Sequence, residues 1–286
     1  MSFNNLLKTI VLGINLSILN TTAIASDAPR IISLSSALTE IIYDLDLEEQ
    51  LVATGNSSKY PEAAIDLPKV GSDVMPEYEL ILSHQPDIVL TYSDSPNFEK
   101  RLKNDGIDLI VSNPKSIPEM FADWRTILKR SQTDQEKRKI AEEKIDKAET
   151  EWHGTVKKYK DKKPKSIFIM YSMMPLKGLN DKTFVGQALQ SCNVQNIFGN
   201  EKQTHFDVDK KALVRKQPDF ILHSYSDETE KSHFIKSVTD ILYETGLETQ
   251  PKQIISVNSA IFASPTMRFM QNLTQICEHI HTTQIN

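Results

Sequence analysis

One long run of helical periodicity, residues 133–160, lies near the middle of this chain of 286 residues. Apolar side chains recur in it at steps of three and four, which predicts a helix with a single apolar stripe. These side chains are Ala141, Ile145, Ala148, Trp152, Val156 and Tyr159. Thr133 followed by Glu136 predicts a capping box at its start, and the whole helix would be about 40 Å long. Two alternatives follow: a solvated helix on one domain, or a rod that joins two lobes.

Strand and helix patterns alternate on both sides of this run, which indicates parallel β-sheets. In the first half the predicted strands cover residues 30–34, 51–54, 87–92 and 107–111. An internal echo links the halves, because a Gln, Pro, Asp triplet followed by an apolar strand occurs at residues 85–90 and again at 217–222. Both copies are followed by Tyr, Ser and Asp, at 92–94 and 225–227. The echo favours a duplicated lobe, and therefore the rod, over the solvated helix.

The predicted fold class is α/β, with two doubly wound-type lobes joined by a single long backbone helix. The expected boundaries are a signal peptide at 1–25, an N-terminal lobe at 26–130, the linking helix at 131–163 and a C-terminal lobe at 164–286. Open α/β sheets bind ligands beyond the carboxyl ends of their strands. Two such lobes facing each other predict a ligand cleft between them.

The N-terminal residues predict export. Lys8 precedes an apolar run at residues 9–19, and residues 23–25 have the small-x-small pattern of a signal-peptidase site. The run is too short to span a bilayer comfortably, so we expect cleavage near Ala25 and a periplasmic location. Cys192 and Cys277 are the two cysteines, and in an exported protein such a pair predicts a disulfide.

Composition argues against several function classes. A net charge of −5, without a basic block outside the end of the central helix, argues against nucleic acid as a partner. The chain has nine glycines and none of the common glycine-rich phosphate-binding motifs. No nucleophile with a base and no paired carboxylates are visible, so an enzyme is not predicted. An exported enzyme that works in the cleft remains the alternative from another class.

Four segments carry a family resemblance: residues 30–40, 60–61, 67–71 and 85–87. They resemble the periplasmic binding proteins of the vitamin B12, haem and ferric-siderophore ABC importers. The match to the vitamin B12-binding members extends to Cys192, residues 196–198 and 263–265, and Cys277. The resemblance implies a monomer with little hinge motion that holds its ligand between the lobes. It also implies delivery of that ligand to an ABC permease and its ATPase at the inner membrane.

The expected ligand is a small-molecule metal chelate of cobalt or iron, bound without a covalent cofactor. Cobalamin or a related corrinoid comes first, and haem or a ferric siderophore is the alternative. Aromatic and methionine side chains suit large flat chelates. The candidate ligand-binding residues are Ser36, Tyr60, Asp73, Met75, Tyr92, Tyr171, Met173, His205, Phe206, Tyr225 and Phe262. Ordinary loop packing is the alternative explanation for about half of them.

Some of these positions depart from the family pattern. Asp73 and His205 fall where the vitamin B12-binding members carry tryptophans. His205 is also the candidate to coordinate the metal of the chelate, because neutral imidazole binds iron and cobalt. For permease docking the resemblance implies Glu79, whereas its counterpart in the second lobe falls near Lys211, with Asp209 as a substitute. Helix capping is an alternative role for Glu79.

Overall fold

The computed structural model describes residues 28–93, 95–226, 231–262 and 264–285, and these form two α/β lobes. The expected signal peptide, Ala263 and the two Asp residues that end the internal echo, Asp94 and Asp227, lie outside the described residues. Within the described ranges, no helix is long and apolar enough to cross a membrane.

The first lobe is a four-stranded parallel sheet flanked by helices. Its strands are β1 (Ile31–Ser33), β2 (Leu51–Thr54), β3 (Ile88–Thr91) and β4 (Asp108–Val111). They lie in the order β2-β1-β3-β4. Its helices are α1 (Ser36–Asp44), α2 (Tyr78–Ser83), α3 (Pro96–Asn104) and α4 (Ile117–Arg130). All four predicted strands are therefore present, and their carboxyl ends share one edge of the sheet.

The predicted rod is helix α5, Gln135–Tyr159. Its 25 residues span about 37 Å at 1.5 Å per residue. The predicted cap is wrong, because Asp134 rather than Thr133 caps the helix. The Asp134 carboxylate accepts hydrogen bonds from the backbone N–H groups of Glu136 and Lys137 at 3.0 and 2.9 Å. An aspartate satisfies two of the free N–H groups at the helix start, and its negative charge suits the helix dipole.

The second lobe contains a six-stranded mixed sheet. Its strands are β5 (Lys165–Ser172), β6 (Lys177–Leu179), β7 (Val194–Asn196), β8 (His205–Asp207), β9 (Phe220–Tyr225) and β10 (Ile254–Asn258). Their order is β10-β9-β5-β6-β8, with β7 beside the first part of β5. The helices are α6 (Phe184–Gln190), α7 (Lys210–Lys216), α8 (Lys231–Thr245), α9 (Ser259–Phe262) and α10 (Met267–Thr282). β6 and β8 run antiparallel and add an edge that the first lobe lacks.

The internal echo corresponds to the same structural device in both lobes. Gln85 and Gln217 each adopt a left-handed backbone conformation, with φ of 48° and 42°, between a short helix and a central strand. The aspartate two residues later then binds the neighbouring strand. Asp87 accepts a hydrogen bond from the backbone N–H of Arg30 at 2.7 Å, and Asp219 accepts one from that of Ser166, also at 2.7 Å. This shared geometry supports the duplication inferred from the sequence.

The apolar stripe of α5 is buried against both lobes. Ala141 and Ile145 are fully buried, and they belong to one apolar cluster that contains strands and helices of both lobes. Trp152 packs on this cluster, and its indole N–H donates to the hydroxyl of Ser191 at 2.9 Å. The alternative of a solvated helix on one domain is therefore wrong. A continuous apolar core through the joint is the physical reason to expect limited lobe movement.

Two further links hold elements of the second lobe in place, one across the lobes and one within the second lobe. The indole N–H of Trp124, on α4, donates to the carbonyl of Pro265 at 3.2 Å across the lobes. The predicted disulfide joins Cys192, after α6, to Cys277 on α10. Both cysteines are completely buried in the shared core, so the bridge fixes α10 where it packs against α5 and α6.

Candidate functional site

A cavity of about 360 Å³ lies where the two lobes face each other. The first lobe contributes residues that follow β3 and β4, which are the carboxyl ends of its parallel strands. The second lobe contributes the loop before α6 and the start of β8. The lining residues are Tyr92, Asn113, Pro114, Lys115, Lys182, Thr183, Phe184, Thr204, His205 and Pro265. The cleft predicted from the sequence is therefore present between the lobes.

Tyr92 forms part of the first-lobe wall, and Asp73, which is not among the lining residues, binds the backbone of Tyr92. The Asp73 carboxylate accepts hydrogen bonds from the backbone N–H of Tyr92 at 2.9 Å and from the hydroxyl of Thr91 at 2.8 Å. Burial and then the negative charge of Asp73 raise the pKa of Tyr92 well above its usual value. The phenol consequently stays neutral at every physiological pH. Asp73 has a clear structural role here, since it fixes the end of β3 beside the cavity.

His205 lines the cavity from the second lobe, and Tyr171 lies beside it. Their rings meet edge to face, with centroids 4.6 Å apart. The Nδ1 atom of His205 lies 3.2 Å from the hydroxyl of Thr204. Among the described residues, no hydrogen bond engages its Nε2 atom, which leaves that nitrogen available to a ligand. Tyr171 and Met173 line a second cavity, of about 250 Å³, so His205 lies at one cavity and its ring partner Tyr171 at the other.

The remaining candidates from the sequence divide by burial. Ser36, Tyr60 and Met75 are exposed on first-lobe loops or helix starts. The side chains of Phe206, Tyr225 and Phe262 are buried at 8 %, 4 % and 6 % exposure. Their rings belong to the apolar core, which favours the packing alternative for these three. Met173 also packs partly on the second-lobe core.

An ionic cluster joins α1 of the first lobe to α10 of the second. The Arg268 guanidinium donates to both oxygens of the Glu40 carboxylate, through Nε at 2.7 Å and through a second short contact. The same guanidinium lies 3.6 Å above the ring of Tyr60. The Glu40 side chain is only 3 % exposed. This cluster was missed at the level of the sequence because its members are 228 residues apart.

Asp44 belongs to the same cluster. Burial, and then the nearby Glu40 charge, raise the pKa of Asp44 from 3.8 to about 6. The backbone N–H of Met267 and the charges of Lys144 and Arg268 partly oppose that shift. A proton is therefore bound more tightly by Asp44 in the folded chain than in the unfolded chain.

Lys115 and Lys182 are the cavity residues that sequence reasoning missed most clearly. Each lies in a loop close to the cleft, Lys115 between β4 and α4 and Lys182 between β6 and α6. The position of Lys115 after a predicted strand was the available signal. Lys182 had no such signal, because β6 is a strand of three residues without a recognisable pattern.

The docking candidates both lie at helix starts. Glu79 is in the first turn of α2, its side chain is 86 % exposed, and it lies 3.8 Å from Arg101. Asp209 caps α7 by accepting a hydrogen bond from the backbone N–H of Lys211 at 2.9 Å. Counted back from Gln85 and Gln217, Asp209 corresponds to Glu77, which occupies the N-cap position of α2 without a side-chain hydrogen bond. Glu79 corresponds to Lys211. The second-lobe position thus carries its acid two residues earlier.

Three larger grooves, of about 590, 840 and 600 Å³, lie elsewhere in the described part of the chain, and the last of them is beside the first turns of α5. The first two are lined by residues that precede β9 and β1, such as Asp219 and Arg30, at the amino ends of the strands. Ligands of open α/β sheets bind at the opposite edge, so these grooves are poor candidates despite their size. In the described part of the chain, no group of three or more His, Cys, Asp or Glu side chains is arranged to hold a metal ion.

Two α/β lobes that share one helix and enclose a cavity at their strand ends define a class of two-lobed binding protein. Residues 31–240 match the family described as Periplasmic binding protein, and the chain belongs to this family. Family membership indicates a substrate-binding protein with a periplasmic location, which agrees with the resemblance seen in the sequence.

Individual relatives agree with this assignment. The chain is 25 % identical over 259 residues to the vitamin B12-binding protein of Vibrio campbellii, covering 90 % of this chain and 91 % of that protein. The fold is similar to the crystal structure of the periplasmic vitamin B12 binding protein BtuF of Vibrio cholerae, with a TM-score of 0.73, 23 % identity, and coverage of 88 % and 96 %. It is also similar to the periplasmic haem binding protein HutB of Vibrio cholerae, with a TM-score of 0.71, 20 % identity, and coverage of 87 % and 98 %.

Proposed function

We propose that this chain is the substrate-binding protein of an ABC importer and that it captures a metal chelate between its lobes. The observation that carries the proposal is the cavity to which both lobes contribute, with Tyr92 on one wall and His205 on the other. The chelate is then passed to a permease and its ATPase at the inner membrane. The protein acts as a monomer after removal of residues 1–25, and it catalyses no reaction.

Cobalamin or a related corrinoid is the first ligand that we propose, because vitamin B12-binding proteins match almost the whole chain. Haem or a ferric siderophore is the second. The pairing of Tyr171 with His205 favours this second candidate, because an exposed imidazole beside a phenol suits an iron chelate. In either case the chelate supplies most of the metal's ligands, and one nitrogen of His205 completes them.

Titration of the chain that begins at Ser26 tests this function. Cyanocobalamin, cobinamide, haemin and a ferric siderophore are added in turn and followed by calorimetry and absorbance. At least one is expected to bind with a Kd below about 10 µM, which corresponds to about −7 kcal/mol. His205→Ala is expected to change the absorbance spectrum of the bound chelate. His279→Ala is the matched control, because that side chain faces the Lys252 carbonyl at 2.8 Å, far from the cavity. Binding of none of the four would contradict the proposal.

Glu79 and Asp209 are the residues that we propose for permease docking. Each places an exposed carboxylate at a helix start, one on each lobe, where it can attract basic side chains of a permease. Glu79→Ala and Asp209→Ala are each expected to lower chelate uptake by cells several-fold at low ionic strength while chelate affinity stays unchanged. Glu248→Ala, which removes an exposed acid from the groove at the opposite edge, is the control. Normal uptake by the Glu79 and Asp209 variants would remove both from this role.

A further inference from the structure

The cavity between the lobes is basic, although the chain as a whole is acidic. Lys115, Lys182 and His205 are among the described residues that line it, and none of those described residues carries a carboxylate. The whole chain has a net charge of −5. The described lining therefore carries two lysine charges without an acid to balance them. A low-dielectric cleft lined by charge of one sign favours ligands of the opposite sign.

Neither lysine ammonium is neutralised by an acid in the described part of the chain. Lys115 Nζ donates to the side-chain oxygen of Asn113 at 2.7 Å. The Glu119 carboxylate accepts a hydrogen bond from the Lys115 backbone N–H at 2.7 Å rather than pairing with the ammonium group. Lys182 uses its backbone N–H to bind the Asn180 side chain at 2.9 Å, and its exposed ammonium makes no ion pair with a described acid.

Lys69 shows what a structural lysine looks like in this protein. Its ammonium donates to the hydroxyl of Thr54 and to the carbonyls of Ser58 and Ala64, at 2.8, 3.2 and 2.8 Å. All three of its donors are used within one loop region. Among the described residues, the ammonium groups of Lys115 and Lys182 have no comparable set of acceptors. We therefore see no role for these two charges in holding the loops together.

The loops that carry the two lysines are nevertheless anchored. Lys115 is followed by Ser116, which caps α4 by accepting a hydrogen bond from the backbone N–H of Glu119. Lys182 is followed by Thr183, whose hydroxyl donates to the Asn180 carbonyl at 2.7 Å and accepts from the backbone N–H of Gly186 at 3.2 Å. The backbone on each side of the cavity is thus held in place, and only the lysine side chains have to adjust to a ligand.

We infer that the ligand carries an anionic group, a carboxylate or a phosphodiester, and that Lys115 and Lys182 bind this group from opposite lobes. The inference rests on the proposed function and names a requirement of the same site. The metal centre of the chelate faces His205, and the anionic edge faces the two ammonium groups. Because one lysine belongs to each lobe, the anion also joins the lobes through the ligand. Haem propionates and the corrinoid phosphodiester are two sources of this chemistry.

Paired ligands test the inference with the whole mature chain. Haemin is compared with its dimethyl ester, which lacks the propionate charges, and cyanocobalamin is compared with cobinamide, which lacks the phosphodiester. For the pair that binds, the anionic member is expected to bind about 10-fold more tightly at low salt, and the difference is expected to shrink as salt is added. The haem pair and the corrinoid pair together tell which source of the anion the site accepts.

Lys115→Gln with Lys182→Gln is the decisive variant. It is expected to weaken binding of the anionic ligand about 10-fold and to leave binding of the partner that lacks the anionic group within about 2-fold, since each charge-assisted hydrogen bond at an exposed site contributes only a few-fold. Lys100→Gln with Lys103→Gln removes the same charge from α3 and is expected to change nothing. Equal binding of the anionic ligand by wild type and the Lys115/Lys182 variant overturns the inference but not the function. Failure of wild type to bind any chelate overturns both.

Discussion

Arg268→Met is expected to lower the free energy of unfolding at pH 7 by about 3 kcal/mol, because it leaves a buried charge without its partner. Glu40 is 3 % exposed, and the Arg268 guanidinium holds both of its carboxylate oxygens. Methionine retains most of the apolar contact of the arginine stem but none of its charge. Urea denaturation followed by circular dichroism measures the loss. The Glu40→Gln, Arg268→Met double variant is expected to recover most of it, since the buried Glu40 charge is then also gone.

Asp44→Asn is the matched control in the same cluster, and its expected effect has the opposite sign. The folded pKa of Asp44 lies near 6, above its ordinary value of 3.8. The folded chain therefore holds this proton more tightly, and wild type loses stability as the pH rises from about 4 to about 6. A shift of about two pKa units corresponds to about 3 kcal/mol, reduced to about 2 kcal/mol by partial exposure. Asp44→Asn should gain about this amount at pH 7 and show a flatter pH profile. Unchanged stability in both single variants would show that the cluster contributes nothing.

Replacement of the disulfide by Cys192→Ser with Cys277→Ser is expected to cost about 4 kcal/mol of unfolding free energy. The bridge closes a loop of 85 residues, and both cysteines are fully buried. In the chain-entropy description a loop of this length restricts the unfolded ensemble strongly, and the two serine hydroxyls would add a desolvation cost. The melting temperature should fall by about 10 °C.

The control for the disulfide is reduction of the wild-type chain. Wild type in excess reductant should melt near the double variant, whereas the double variant should not respond to reductant. Chelate binding by the double variant should persist below its melting transition, because neither cysteine lines the cavity. Identical urea midpoints for wild type with and without reductant would contradict the prediction.

The parts of the fold that were predictable are those with local causes. The first-lobe strands are short β-branched runs, and burial on both faces requires such runs wherever they lie. Helix α5 was predictable from its stripe, since residues such as Ala141 and Ile145 recur with the helical period. The echo at Gln85 and Gln217 was visible because the left-handed glutamine and the strand-binding aspartate need the same residues in both lobes.

The parts that were not predictable depend on partners distant in the chain. The direction of a side chain at the end of a strand is set by what packs on it, so Phe206 and Tyr225 were placed in the cleft although their rings are in the core. The strands β6 and β8 have three residues each, too few for a period to be recognised. Glu40 and Arg268 had no visible connection, because neither residue's neighbours in the chain indicate the other.

The amino-acid sequence alone was sufficient for the class of fold, the central helix, the disulfide and the presence of a cleft. Hydrophobic periodicity and the repeated strand motif are local or repeated signals, so they can be recognised without the three-dimensional structure. The chemistry of the cleft required the folded chain. Lys115 and Lys182 lie 67 positions apart in the sequence and face one cavity only because α5 brings the two lobes together. Electrostatic interactions act through space, so the net charge of the cavity depends on which loops of the two lobes the helix brings next to each other.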